Sequence, residues 1–159
     1  MRHYPSNSPK AAARIVGLAV LADGNMSNTE LDTLDRLRAY TQLGLGRVEL
    51  HTVIHEVCQD LLTNMHLTWD DACRVDTDTL ASLIRDIDDP ALRRRLTRIC
   101  IAVIECDGHV SEGEATLLGT AVEQWGLHSE MLEPRADRYE PVERPASPAG
   151  CGQDARLAA

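Results

Sequence analysis

The sequence predicts an all-α fold, a bundle of about six to seven helices built from two pseudo-symmetric helix-corner-helix repeats. The first observation is a duplication: RIVGLAVLADGNMSNTE at residues 14–30 and RICIAVIECDGHVSEGE at residues 98–114 share an apolar run followed by DGxxSxxE. The second is helical spacing, because apolar residues between the copies recur every three or four positions. The third is composition: Phe is absent and aromatic residues make up 3% of the chain, so aliphatic side chains must fill a core of closely packed helices.

Length and charge predict one helical domain at residues 10–132, preceded by a flexible N-terminus at residues 1–9. Residues 133–159 are rich in Pro, Arg, Glu, Gly and Ala, a composition that predicts a disordered tail. The net charge of -9 disfavours nucleic acid and anionic lipid as partners. No segment approaches the roughly 20 apolar residues of a membrane span, so direct membrane insertion is not expected. Five cysteines without a CxxC pair predict a cytoplasmic protein, and Cys151 is interpreted as a bystander thiol.

The first element is a buried helix that ends at a corner. Gly24 is predicted to stop this helix in a left-handed conformation, which glycine adopts without steric penalty. Ser27 is predicted to be the N-cap of the next helix, and Glu30 can complete a capping box with it. The second copy repeats these three residues as Gly108, Ser111 and Glu114.

Each corner also contains an aspartate, Asp23 or Asp107, directly before the glycine. A carboxylate at the end of a helix faces the negative end of the helix dipole, so its presence in both copies needs an explanation. Three explanations are open: a turn in which Asp accepts a following backbone N–H, a salt bridge to Arg, or a divalent cation shared with the corner glutamate. A cation would be Ca²⁺ or Mg²⁺, bound weakly by Asp23 with Glu30 or by Asp107 with Glu114.

The remaining helices follow from apolar periodicity and helix-stop residues. An amphipathic helix is predicted over residues 27–44, where Gly44 ends it, and a longer helix over residues 47–65. A loop follows, in which Trp69 is expected to pack. Further helices are predicted over residues 77–87, from Pro90 to the second corner, and over residues 111–125.

A second candidate metal site lies on the helix at residues 47–65. His51, His55 and Cys58 recur at i, i+4 and i+7, so they lie on one side of that helix. Glu56 follows the second histidine instead of the first, so the HExxH motif is not matched. These residues are therefore interpreted as the flank of the buried face. The alternative is a zinc hydrolase that uses the two histidines with Cys58 or Asp107 as a third ligand.

A cluster of arginines marks the helix before the second corner, at Arg93, Arg94, Arg95 and Arg98. The cluster could bind an anion. The preferred interpretation is a solvated face, because the sequence contains no glycine-rich phosphate loop and nearby carboxylates can neutralise the arginines. Those carboxylates are Asp86, Asp88 and Asp89.

The duplicated corner, an apolar helix that ends in DG and is followed by a capping serine and glutamate, resembles the TerB-like tellurite-resistance family over roughly residues 10–128. This resemblance implies an all-α bundle with an internal pseudo-twofold axis, no established catalytic activity, and a role in bacterial responses to tellurite and other stresses. It also implies that the acidic motif positions bind metal. In this sequence these positions are Asp23, Glu30, Asp107 and Glu114.

The sequence thus predicts a non-catalytic module that binds a divalent cation weakly at its corners and acts through protein partners. A membrane-embedded stress-response protein and a second copy of the chain are the partners considered. The first alternative is a purely structural interaction scaffold in which DGxxSxxE only caps helices. The second is the zinc hydrolase that uses His51 and His55.

Overall fold

A computed structural model describes residues 2–64 and 75–127. Helix covers 73% of these residues and none of them forms a strand, so the all-α prediction is confirmed. The described helices are α1 (Pro9–Val20), α2 (Asn28–Arg36), α3 (Ala39–Leu43), α4 (Arg47–Asn64), α5 (Thr77–Arg85), α6 (Pro90–Ile104) and α7 (Glu112–Trp125), with a 3₁₀ helix at Glu105–Asp107.

Helix α1 is the centre of the bundle. It packs most extensively against α4 and α6, and it also contacts α3, α5 and α7. Every residue from Ala11 to Val20 is buried, and many of them are small, which lets neighbouring helices approach closely. At Gly17 an added Cβ would lie 3.3 Å from Val57 Cγ2 and 3.4 Å from Ile54 Cα. The near-continuous apolar run therefore belongs to a helix with neighbours on several sides.

Helix α6, the counterpart of α1 in the repeat, is buried on one side only. Its buried side chains include Leu96, Ile99 and Val103, while Arg95 and Arg98 are exposed. Helix α1 is therefore buried as predicted, whereas α6 is amphipathic.

The helix predicted over residues 27–44 is interrupted, which corrects that prediction. Arg38 adopts a left-handed conformation with φ 48° and ψ 45°, and it separates α2 from α3. The sequence could not indicate this break, because arginine is a good helix former and no Gly or Pro lies nearby. Gly44 ends α3 in a left-handed conformation, as predicted.

The other helix ends follow the sequence closely. Asp76 caps α5 by accepting the N–H of Thr79, and Asp89 caps α6, which has Pro90 at its first position. Gly126 ends α7 with a φ of 67°. The indole N–H of Trp125 donates to the Ile84 carbonyl at 3.1 Å, which ties the end of α7 to α5.

The N-terminal segment, predicted to be flexible, contacts the helical domain at several points. The Arg2 guanidinium lies 3.0 Å from the Asp60 carboxylate, and the Tyr4 hydroxyl donates to Glu56 Oε2 at 2.7 Å. Further along, Asn7 donates to the Asp86 carbonyl. These contacts attach the segment to α4 and to the end of α5.

Several predictions fall outside the described residues: the packing of Trp69, the bystander thiol of Cys151 and the disorder of residues 133–159. In residues 2–64 and 75–127, no helix combines the length and the apolar character needed to cross a membrane.

Candidate functional site

The first corner has the local geometry that its sequence predicts. Ser27 Oγ accepts the backbone N–H of Glu30 at 3.2 Å, and Glu30 Oε2 accepts the N–H of Ser27 at 2.9 Å, which completes a capping box. Gly24 has a φ of 86°. Asp23 Oδ1 accepts the N–H of Asn25 at 2.8 Å. Of the three explanations for this aspartate, the turn to a following N–H is the one that the geometry displays.

The second corner repeats every one of these interactions. Ser111 and Glu114 form a capping box with distances of 3.2 and 2.6 Å. Gly108 has a φ of 76°, and Asp107 Oδ1 accepts the N–H of His109 at 2.9 Å. The duplication in sequence therefore corresponds to a duplication of local hydrogen bonding.

Both helices end before their glycines, which refines the predicted helix boundaries. Helix α1 ends at Val20, and a turn in which the Gly24 N–H donates to the Leu21 carbonyl at 3.1 Å completes the corner. Helix α6 continues into the 3₁₀ helix Glu105–Asp107, for which Gly108 is the C-cap. A tighter last turn of this kind satisfies carbonyl groups that an α-helix end leaves unpaired.

The fold places the two corners against each other, an arrangement that sequence reasoning missed. Gly113, in the first turn of α7, lies so close to the first corner that an added Cβ would be 2.1 Å from the Ala22 carbonyl oxygen. Cys106 of the second corner lies beside Thr33 of α2. The only sequence signal for the first contact is the glycine itself, because a Gly in a helix interior often marks a close backbone approach.

The charges of both corners act on Glu30. Its side chain and that of Glu114 are each 5% exposed. Burial raises the pKa of Glu30 above its ordinary value, against the lowering effect of its hydrogen bonds with Ser27, and the negative charges of Asp23 and Glu114 raise it further. The site is thus a set of neighbouring carboxylates in which at least one resists ionisation.

The predicted metal ligands Asp23, Glu30, Asp107 and Glu114 each give an oxygen to a backbone N–H. Across the part of the chain that the structure describes, His, Cys, Asp and Glu side chains do not form a group of three or more placed to hold a metal ion. The observed chemistry of the corners is therefore helix capping.

Among the residues that the structure describes, none joins the alternative zinc residues as a further ligand. His51 is half-buried with its Nε2 3.8 Å from Asp35 Oδ1, while His55 is exposed. Asp35 itself is bound by Arg47, whose hydrogen bond and charge lower the pKa of that carboxyl.

The carboxylates expected to neutralise the arginine cluster each have another partner in the fold. Asp86 pairs with Arg14 at 2.6 Å, and Asp88 accepts from the Asn7 side chain. Asp89 accepts the first N–H groups of α6 as its N-cap. The sequence places these acids near the arginines, but the fold uses each of them to hold chain segments together.

A cavity of about 230 Å³ lies beside the first corner, where α1, α4, α5 and α7 meet. Its apolar lining includes Leu18, Leu61, Leu80 and Leu117, and Glu112 adds a carboxylate. The sequence contained no signal for this cavity, because its walls come from four separate helices.

The chain was also compared with known proteins. No family model matches it, and neither the curated proteins nor the solved structures contain a match.

Proposed function

We propose that this chain is a non-catalytic helical module that acts by binding other proteins, and that its two acidic corners are structural elements. The observation that supports the structural role of the corners is the set of hydrogen bonds that their carboxylates accept. All four accept backbone N–H groups at 2.6 to 2.9 Å, so each has a defined structural task that needs no ligand.

The biological setting of the proposal rests on the resemblance of the duplicated corner to the TerB-like family. We propose a cytoplasmic bacterial module of the tellurite and stress response. Its partners would be proteins, including a membrane-embedded stress-response protein, and a second copy of the chain is a further candidate.

The interaction function can be tested by photo-crosslinking in the cells that make the protein. A photoreactive residue is placed singly at exposed apolar positions that are spread over the fold, namely Val48, Leu62 and Val110. One protein should be cross-linked reproducibly from at least one position, and an excess of the unlabelled chain should compete it away. If no position yields a specific adduct with or without tellurite, the interaction function is wrong.

A second candidate function is weak binding of Ca²⁺ or Mg²⁺ at the corners. The observation that favours it is the raised pKa of Glu30, to which the charges of Asp23 and Glu114 contribute. A divalent cation would relieve this repulsion. It could use the carboxylate oxygens that the backbone N–H groups leave available, with water completing its coordination.

The cation hypothesis predicts opposite behaviour in two conditions. Without cation, the Asp23→Asn and Asp107→Asn variants should melt no lower than the parent, because Asn can accept the same N–H. With millimolar Ca²⁺ or Mg²⁺, only the parent should gain stability, since ligand binding to the folded state raises the melting temperature. Identical responses of parent and variants would leave the corners as structural caps alone.

A further inference from the structure

Three exposed arginines, two on α6 and one at the break between α2 and α3, take no part in the ion pairs formed by the residues that the structure describes. Helix α6 contains four arginines and no acidic residue. Arg95 and Arg98 are exposed on it, and Arg38 is exposed at the break between α2 and α3. These three residues are called the basic surface below.

Two contacts bring α2 and α3 alongside α6, the helix that contains Arg95 and Arg98. Thr33 of α2 lies beside Cys106 at the end of α6. Beyond the break, the Arg95 guanidinium donates to the Gln42 carbonyl at 2.8 Å. The carbonyl of Arg38 accepts the backbone N–H of Gln42 at 3.2 Å, so Arg38 lies within one helical turn of the carbonyl to which Arg95 donates.

The basic surface differs from the other arginine sites of the protein. Arg14 and Arg47 form ion pairs with Asp86 and Asp35. Within the described ranges, by contrast, no ion pair includes Arg38, Arg95 or Arg98. A group of like charges without counter-charges repels itself, and an anionic ligand would remove that repulsion.

We propose that the basic surface is a docking site for a short acidic segment of a partner protein. This inference rests on the proposed interaction function and deepens it by naming the surface and the chemistry of the partner. Guanidinium groups suit this partner, because their planar set of donors matches the two oxygens of a carboxylate.

The charge of the whole protein favours a short peptide over a long polyanion. The chain carries 25 acidic and 16 basic residues. A nucleic acid or an anionic membrane extends well beyond the basic surface and is repelled by the net charge of -9. An acidic segment that spans only the arginines avoids this repulsion, since charges are screened over about 8 Å at physiological ionic strength. Arg95 and Arg98 are one helical turn apart, so an extended segment of about five residues covers the surface.

The proposal can be tested with a labelled synthetic peptide of about six alternating Asp and Glu residues and a control in which each acid is replaced by Asn or Gln. NMR titration of the full chain should move amide signals around Arg38 and along the first half of α6. Binding should weaken as salt is added. The neutral peptide should produce no shifts. Shifts centred on another face would overturn the proposal.

A matched pair of variants separates the surface from the net charge. Arg38→Gln with Arg98→Gln removes two charges from the basic surface, whereas Lys10→Gln with Arg85→Gln removes two charges from exposed positions elsewhere. The first variant should weaken peptide binding by roughly tenfold or more, and the second by less than about twofold, because only the first removes direct contacts. If both variants lose the same affinity for the peptide, binding depends only on net charge, and the proposal is overturned.

Three further probes distinguish the partner class: inorganic phosphate, a short DNA duplex and phosphatidylserine vesicles. If DNA or vesicles bind more tightly than the acidic peptide, the peptide partner is rejected. The same holds if phosphate displaces the peptide when both are present at an equal concentration of negative charge. The result is separable from the test of the interaction function. A specific cross-linked partner whose yield is unchanged by Arg38→Gln with Arg98→Gln would preserve the interaction function and reject this surface.

Discussion

Arg14 and Arg98 occupy the same position in the two copies of the repeat, but their environments are opposite. Arg14 is 1% exposed; its guanidinium donates to Asp86 at 2.6 Å and to the Arg2 carbonyl at 2.8 Å, and it lies 5.5 Å from the centre of the Tyr4 ring. Arg98 is exposed on α6. The difference arises because α1 is buried along its whole circumference, whereas α6 leaves one face exposed. Residues at the same position in two similar sequence repeats can therefore differ completely in burial.

The two corners have the same local structure but different tertiary contacts. Both have the same capping box and the same aspartate turn. However, Gly113 meets the Ala22 carbonyl, whereas the residue at the same position in the first copy, Thr29, is exposed. Capping depends on neighbours in sequence, while packing depends on the whole bundle.

The largest expected effect is at the contact between the corners. Gly113→Ala places a Cβ 2.1 Å from the Ala22 carbonyl oxygen, a clash that only a backbone shift can relieve. We expect a loss of about 3 kcal/mol in the free energy of unfolding, measured by urea denaturation. Gly119 in the same helix is the control, because nothing lies within 4 Å of its added Cβ. Gly119→Ala should stabilise by up to roughly 1 kcal/mol. Equal effects would show that the corners do not touch.

The next effect compares the two arginines directly. Arg14→Met removes a buried guanidinium and leaves Asp86 without its partner, so we expect a loss of about 2 kcal/mol, less than for a fully buried pair because Asp86 is partly exposed. Arg98→Met should change stability by no more than about 0.5 kcal/mol. Thermal melts of both variants measure the difference. Similar losses would contradict the contrast between the central and the peripheral helix.

A smaller effect is expected from the corner glycine. Gly108→Val forces a β-branched residue into a left-handed conformation, with an expected loss of roughly 1 to 2 kcal/mol. No atom lies within 4 Å of the added Cβ, so the loss would come from the backbone alone. Gly108→Asn should be milder, because Asn tolerates this conformation. If the melting temperature of the Val variant does not fall, Gly108 is not acting as a C-cap.

The smallest effect tests the buried carboxylate. Gln can replace Glu30 in the capping box, so Glu30→Gln and Glu114→Gln should be almost harmless, unlike Ser27→Ala, which loses the cap and about 1 kcal/mol.

The pH dependence of Glu30→Gln has a defined sign. The pKa of Glu30 is raised in the folded state, so the fold binds more protons than the unfolded chain between the two pKa values. The contribution of this group to stability is therefore greatest at acidic pH and declines as pH rises through the folded pKa. Relative to the parent, the Gln variant should gain stability as pH rises above the ordinary pKa of a glutamate, about 4.3, and should level off above the folded pKa. If the parent instead gains stability relative to the variant as pH rises, the pKa of Glu30 is lowered in the folded state, not raised.

The sequence alone determined the helical class and most helix ends. Ser27 and Ser111 cap helices as predicted, and Gly44 and Gly108 adopt left-handed conformations at the predicted stops. These features are predictable because an N-cap or a left-handed glycine depends on hydrogen bonds within three or four residues of the chain. The same reasoning predicted the capping boxes of both corners, and it gave the aspartate turn as one of three explanations.

Only the tertiary structure decided how those elements are arranged. The break at Arg38, the contact of Gly113 with Ala22 and the burial of Arg14 all depend on neighbours far away in sequence. The same holds for Asp86, which the sequence places near Arg93 and the fold pairs with Arg14. Packing joins residues that are close in space but far apart in sequence, and a local sequence pattern does not indicate which residues these are. That Arg95 and Arg98 are exposed on α6 and form no ion pair with the described residues is therefore visible only once the bundle has assembled.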